Sequence, residues 1–173
     1  MNKISDIDLS YLAGVIDSDG SIIAQFVYHP LRSYNKKNPY EIRLTVQISQ
    51  LTKRKWFLKE IQDKVGEGTV RDRKPPASLT NSNMSDFILV GPRPVSEFLK
   101  MLIPFLKIKT KQANLVIRIT EQLTNSDDPI IYNQTIDLVD QVASLNDSKK
   151  RINGLTGQVV RDRIKQGLNE LSL

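Results

Sequence analysis

Residues 11–21, Tyr-Leu-Ala-Gly-Val-Ile-Asp-Ser-Asp-Gly-Ser, constrain this chain more than any other stretch, because they read as a helix that ends in acid. Ser5 followed three residues later by Asp8 fits a Ser/Thr-x-x-Asp/Glu helix start. Leu9, Leu12, Ala13 and Ile16 then share one helical face, which predicts a helix over about 6–17. Ala13 and Gly14 lie mid-helix, where glycine costs roughly 1 kcal/mol against alanine, so their smallness points to close approach by a second backbone. Asp17 and Asp19 lie at the C-terminal end, where the helix dipole disfavours a carboxylate by about 0.3–1 kcal/mol. Two local rules broken in one turn mark a functional site. Clustered carboxylates and helix-end carbonyls are the oxygen ligands that a hard divalent cation such as Mg²⁺ takes. A solvated Asp-Ser-Asp-Gly helix stop is the plainer reading. An EF-hand calcium loop does not fit, because Gly20 comes too early for it and residues 22–28 read as strand.

Composition narrows the chemistry further. The 173 residues are one domain's worth, and 25 Lys plus Arg against 19 Asp plus Glu give a formal charge of +6, which favours a polyanionic partner. No apolar run approaches the ~18 residues of a spanning helix, and the N-terminal residues carry neither a signal-peptide core nor an Arg- and Ser-rich transit segment. A soluble protein with no membrane partner is expected. The chain has no cysteine and a single histidine, His29. Disulfides, thiolate metal sites, a zinc hydrolase centre and a Ser-His-Asp site are thereby set aside. Carboxylates, lysines and amides must carry whatever chemistry occurs.

Beyond the acidic helix, residues 22–28 predict a first strand and residues 40–49 a second with clean alternation. Tyr40, Ile42, Leu44, Val46 and Ile48 face one way, Glu41, Arg43, Thr45, Gln47 and Ser49 the other. The polar face suits base edges, since Arg reads guanine and Gln reads adenine in the major groove. A solvent-exposed face of an antiparallel sheet is the alternative. Between these strands, residues 29–39 form a Pro-, Asn- and Lys-rich loop with Arg32, Tyr34, Lys36 and Lys37, long enough to reach a phosphate backbone. Thr52 is expected to cap a helix over 53–65 with Phe57, Leu58, Ile61 and Val65 as its apolar stripe and Gly66 beyond its end, and Trp56 is expected to pack in the core or at the helix flank. Residues 69–73 and 85–90 predict a second strand pair, joined by a loop containing Pro75 and Pro76. Arg71 and Arg73 share one face there, as a base-reading pair or simply as exposed charge. A short helix with Val95, Phe98, Leu99 and Leu102 ends at Pro104. Lys107, Lys109 and Lys111 then alternate with apolar residues and, taken alone, read as solvated. Helices over about 112–123 and 131–145, a basic connector over 146–151 and a last helix capped by Thr156 complete the chain.

The acidic stretch resembles the signature of the LAGLIDADG homing endonucleases, with Val15 and Ser18 as its two changes. The resemblance covers most of the chain to about residue 150. It extends through residues 21–25, Gln50 with residues 54–58, and residues 70–73, 104–114 and 145–149, which are similar to the single-motif endonucleases of green-algal chloroplast introns. It implies an α+β fold, α-β-β-α-β-β-α with an antiparallel β-saddle on DNA and extra C-terminal helices, in one domain over 1–150 with a helical extension of that domain over 151–173. It also implies a homodimer whose paired motif helices meet through Leu12, Ala13, Gly14 and Ile16. The activity implied is a Mg²⁺-dependent double-strand break in a long pseudo-palindromic DNA target, promoting intron homing, in a chloroplast and with no small-molecule cofactor.

By the same resemblance, Asp19 is the metal-binding carboxylate, with the Ser18 carbonyl as a further ligand, and Asp17 belongs to the motif without being the catalytic acid. Gln50 and Arg54 match the family's water-positioning pair, and Lys107 would stabilise phosphate charge. Gln25, Arg43, Gln47, Arg71 and Arg73 are the expected base-reading residues. Asp86 either accepts from cytosine or holds an arginine, and Tyr34 and Lys149 reach the DNA. Two rivals keep the same fold: an intron RNA maturase and a non-catalytic DNA-binding protein. Neither needs Asp19, Gln50, Arg54 and Lys107 together. A basic structural dimer would leave the acidic helix end unexplained.

Overall fold

A computed structural model of the chain describes residues 4–29, 39–73, 83–123, 129–146 and 154–170. Tyr34, Lys149, most of the 29–39 loop and most of the 146–151 connector lie outside these residues. The first helix, α1 (Asp6–Asp19), starts as its sequence requires: the Ser5 hydroxyl accepts from the Asp8 N–H at 3.2 Å and donates to the Asp8 carboxylate at 2.7 Å. It runs two residues beyond the predicted end and passes directly into strand β1 (Gly20–Tyr28). Gly20 makes that junction possible. A Cβ there would sit 2.7 Å from the Ile16 Cα and 2.9 Å from the Ile16 carbonyl oxygen.

β1 pairs antiparallel with β2 (Tyr40–Leu51), which pairs with β4 (Met84–Val90), which pairs with β3 (Thr69–Asp72), giving the sheet order β1-β2-β4-β3. The predicted alternation holds along β2: Tyr40, Ile42, Leu44, Val46 and Ile48 are buried, and Glu41, Arg43, Gln47 and Ser49 are half-exposed on the opposite face. Thr45, on that outer face, is nevertheless buried. The inner face is covered by α1, α2 (Lys55–Val65), α3 (Pro92–Leu102), α4 (Thr110–Leu123) and α5 (Pro129–Ser144). Leu12, Ile16, Ile22, Phe26, Leu44, Leu58, Phe87 and Phe98 are fully buried in one core between these layers. The last helix, α6 (Gly157–Glu170), packs on α5. Its Val159 N–H donates to the Thr156 hydroxyl as predicted, and its Gly157 N–H donates to Asp140.

One local expectation is overturned and another is narrowed. Thr52 does not cap α2, because a 3₁₀ turn (Thr52–Arg54) precedes the helix and the Thr52 hydroxyl instead shares a hydrogen bond with the Ser85 hydroxyl at 3.0 Å. Of the two places expected for Trp56, the core is excluded: it is 66% exposed and lies on the flank of α2, edge-on to Phe57, because the stripe of Leu58, Ile61 and Val65 turns the other side of α2 inward.

Candidate metal and nucleic-acid site

The C-terminal end of α1 gathers the acidic chemistry. Asp19 is exposed there, and its Oδ2 accepts from the Gln50 side-chain amide at 3.0 Å. The Gln50 carbonyl oxygen in turn accepts from Arg54 Nη1 at 3.3 Å. Strand β2 carries Gln50 at its end and the following 3₁₀ turn carries Arg54, so the register that pairs Gly20 with Ile48 brings all three side chains together. The arrangement is directional: guanidinium to amide to carboxylate, with the second Asp19 oxygen unused by these bonds. An Asp19 carboxylate so oriented is a hard oxygen donor. Mg²⁺ takes such donors, is commonly held by one or two carboxylates, and keeps several of its own waters. Among the described residues no three His, Asp or Glu side chains come together. The Asp19 carboxylate fits this donor set.

Asp17 does different work. Its Oδ2 accepts from the Lys107 backbone N–H at 2.7 Å and its Oδ1 from the Lys109 N–H at 2.9 Å. Partial burial pushes the Asp17 carboxyl up, but hydrogen bonds from the Lys107, Lys109 and Ile108 amides and the Lys109 charge outweigh it and hold the group below the usual carboxylate range. Lys109 closes the same helix end, its Nζ donating to the Ile16 carbonyl at 2.9 Å and the Asp17 carbonyl at 2.6 Å. A cation at a helix C-terminus offsets the dipole that would otherwise disfavour these carboxylates. The expectation that Lys109 is solvated is therefore wrong. The Lys107 side chain is exposed, and it is Lys109, two residues on, whose ammonium reaches the motif helix. Reading the segment as a plain apolar-basic alternation missed this, because the bend over 107–109 is set by Asp17, some 90 positions earlier in the chain.

The expected subunit-contact residues divide. Leu12, Ala13 and Ile16 are buried in their own chain's core, so they cannot meet a second helix. Gly14 is exposed, and a Cβ added to it would meet nothing within 4 Å. It shares the outward face of α1 with Ile7, 83% exposed, and Tyr11, 58% exposed.

On the outer face of the sheet, Gln25 stands opposite Arg43 and both are half-exposed, while Arg71 at the far edge is exposed. Arg73 is not free. Its Nε donates to both oxygens of Asp86 at 3.0 and 2.8 Å, and its Nη2 donates to Asp86 Oδ1 at 2.7 Å. Asp86 is buried beneath it, so of its two expected roles it holds an arginine. Burial pushes the Asp86 carboxyl up, but the Arg73 and Ser49 hydrogen bonds and the arginine charge hold it below the ordinary range.

The chain is 46% identical over 144 residues to DNA endonuclease I-CreI of Chlamydomonas reinhardtii, spanning 83% of this chain and 81% of that protein. It belongs to the LAGLIDADG homing endonuclease family. DNA endonuclease I-CvuI of Chlorella vulgaris is a second relative of this LAGLIDADG protein, 36% identical over 165 residues that span 95% of this chain and 94% of the other. A crystal structure of I-CvuI in complex with its target in the presence of Ca superposes with a TM-score of 0.80 at 34% identity, covering 93% of this chain and 94% of that one. No family model matches the sequence. The α+β architecture expected of a LAGLIDADG endonuclease is the one observed.

Proposed function

We propose that this LAGLIDADG endonuclease acts as a homodimer with Mg²⁺, making a double-strand break in a long pseudo-palindromic DNA target and thereby promoting intron homing in a chloroplast. The observation that carries the proposal is the Arg54–Gln50–Asp19 relay at the exposed end of the motif helix, one copy per chain. Two strands must be cut, and a twofold dimer places one such end at each scissile phosphate with the target mirroring the protein's symmetry. When bound, Mg²⁺ would supply Lewis acidity and charge relief at the phosphate. Asp19 would hold it, with the Ser18 carbonyl as a further oxygen. Gln50 fixes the rotamer of Asp19, and Arg54, with only one nitrogen engaged by Gln50, keeps N–H groups for the phosphate or its attacking water. Lys109 is assigned the charge-stabilising position at the motif helix, with the exposed Lys107 as a second cation. The sheet's outer face, with Gln25, Arg43, Gln47 and Arg71, would lie in the major groove, a groove wide enough for strands as well as helices.

The outward face of α1, through Ile7, Tyr11 and Gly14, would meet its twofold copy. Gly14→Glu tests this cleanly, because the added side chain has open space within its own chain. The variant should fold with wild-type circular dichroism and sediment as a monomer, whereas wild type should sediment as a dimer without DNA. A dimeric Gly14→Glu protein would move the interface elsewhere. Arg71→Ala should relax discrimination by ~1–3 kcal/mol at one base pair per half-site in a competition-binding assay. A uniform loss across all sequences would make Arg71 a phosphate contact.

A further inference from the structure

The Ser49 hydroxyl sits at the centre of a polar cluster on the outer face of β2. It donates to Asp86 Oδ1 at 2.7 Å, accepts from Arg73 Nη2 at 2.6 Å and accepts from the Gln47 side-chain nitrogen at 3.3 Å. The proton count fixes these directions. A hydroxyl has one hydrogen and two lone pairs, an ionised carboxylate only accepts, and a guanidinium only donates. The single Ser49 hydrogen therefore goes to Asp86, and both lone pairs are left for Arg73 and Gln47. Toward Ser49, Gln47 can present only its NH₂ group, which turns its carbonyl oxygen away from the cluster. Arg73 is constrained in the same way. Nε and Nη2 are engaged by Asp86 and Ser49, and none of these bonds uses Nη1.

We propose that Ser49 is a positioning residue for base readout, which makes Gln47 an acceptor and Arg73 a single-nitrogen donor toward the DNA. The inference rests on the reading that this face lies in the major groove. A free glutamine grips adenine with both ends of its amide, and a free arginine grips guanine with two nitrogens. Held as they are here, Gln47 offers its carbonyl oxygen to a base that presents an amino group, cytosine N4 or adenine N6, with only the second hydrogen of its NH₂ group left to donate, and Arg73 makes a weaker contact than the unconstrained Arg71. Asp86 and Ser49 thus set the chemical polarity of neighbouring readers without touching a base.

The test is a randomised-site cleavage selection with purified full-length protein and Mg²⁺, run on wild type, Gln47→Ala, Arg73→Ala, Ser49→Ala and Ser49→Thr. Gln47→Ala and Arg73→Ala identify the base pairs those residues read. At the Gln47 position wild type should prefer cytosine or adenine on the contacted strand by about 5- to 100-fold, the range of a good side-chain-to-base contact. Ser49→Ala should reduce that preference at least about threefold and alter the preference at the Arg73 position, leaving the Arg71 position as in wild type. Ser49→Thr, which keeps the hydroxyl, should retain the wild-type profile. The inference is overturned if guanine or thymine is preferred at the Gln47 position, if Ser49→Ala changes no position or all positions alike, or if Ser49→Thr loses the Gln47 preference while folded. Should neither Gln47→Ala nor Arg73→Ala move any base preference, the major-groove reading itself fails and takes this inference with it. That outcome is distinct from one in which both move the profile and Ser49→Ala does not.

Discussion

Asp19→Asn is expected to bind target DNA at least as tightly as wild type and to lose Mg²⁺-dependent cleavage by about three orders of magnitude or more. That loss corresponds to roughly 4 kcal/mol of transition-state stabilisation. The substitution keeps the size of the side chain and an acceptor for the Gln50 amide, which donates to Asp19 at 3.0 Å, so the fold and the relay have no reason to change. What it removes is the negative charge that would hold a divalent cation at the end of α1. Removing a carboxylate from a surface that meets phosphates also lessens repulsion, which is why binding should not weaken. Filter-binding and single-turnover cleavage on the same DNA check both halves. Substantial residual Mg²⁺-dependent cutting would take Asp19 out of the metal role.

The second large effect is on stability, at Asp17. Asp17→Asn keeps one acceptor oxygen but turns an NH₂ group toward a backbone N–H, so one of the amides of Lys107 and Lys109 loses its partner and Lys109 loses its counter-charge. Hydrogen bonds to charged groups contribute about 1.5–3 kcal/mol each, so a loss of about 2 kcal/mol is expected, lowering the melting temperature by about 4–8 °C at matched protein concentration. The pH dependence carries a defined sign. The folded Asp17 carboxyl lies below its unfolded value, so its stabilisation is complete above roughly pH 3.9. It is lost as pH falls from there through the folded value. The gap in stability between wild type and Asp17→Asn should therefore be constant near neutrality and close as pH drops below about 4. Denaturant titrations at several pH values measure this. A gap that widens on acidification would contradict the hydrogen-bonding account. Cleavage should also fall in this variant, because Asp17 ties the segment carrying Lys109 to the motif helix.

The elements that sequence reasoning placed well are those with a strict period. β2 alternates because one face is core and the other is not, and α1 buries Leu9, Leu12, Ala13 and Ile16 as one stripe. Sequence could not say what covers that stripe. Both faces of α1 carry apolar residues, so the buried face was taken for the subunit contact, whereas the chain's own fold covers it and Ile7, Tyr11 and Gly14 face outward. Trp56 could not be decided between core and helix flank because it adjoins an apolar stripe without belonging to it. Asp86 read as a residue that could hold an arginine, but the sequence did not say which one, and Arg73, expected to read bases, is the arginine it holds. The Ser49 hub was invisible, because a lone serine on a polar face has no distinguishing period or motif. Lys109 was missed for a related reason: its partners are the carbonyls of Ile16 and Asp17, and backbone acceptors leave no trace in the side-chain pattern.

The most direct test of the endonuclease account is to incubate the purified protein with Mg²⁺ and a plasmid carrying an intronless algal chloroplast large-subunit ribosomal RNA gene, and to map the DNA ends. The account predicts one discrete double-strand cut, dependent on the added metal and abolished by chelation, and absent with Asp19→Asn. Tight, specific binding with no cleavage would contradict it, and would assign this LAGLIDADG scaffold to a maturase or a DNA-binding regulator.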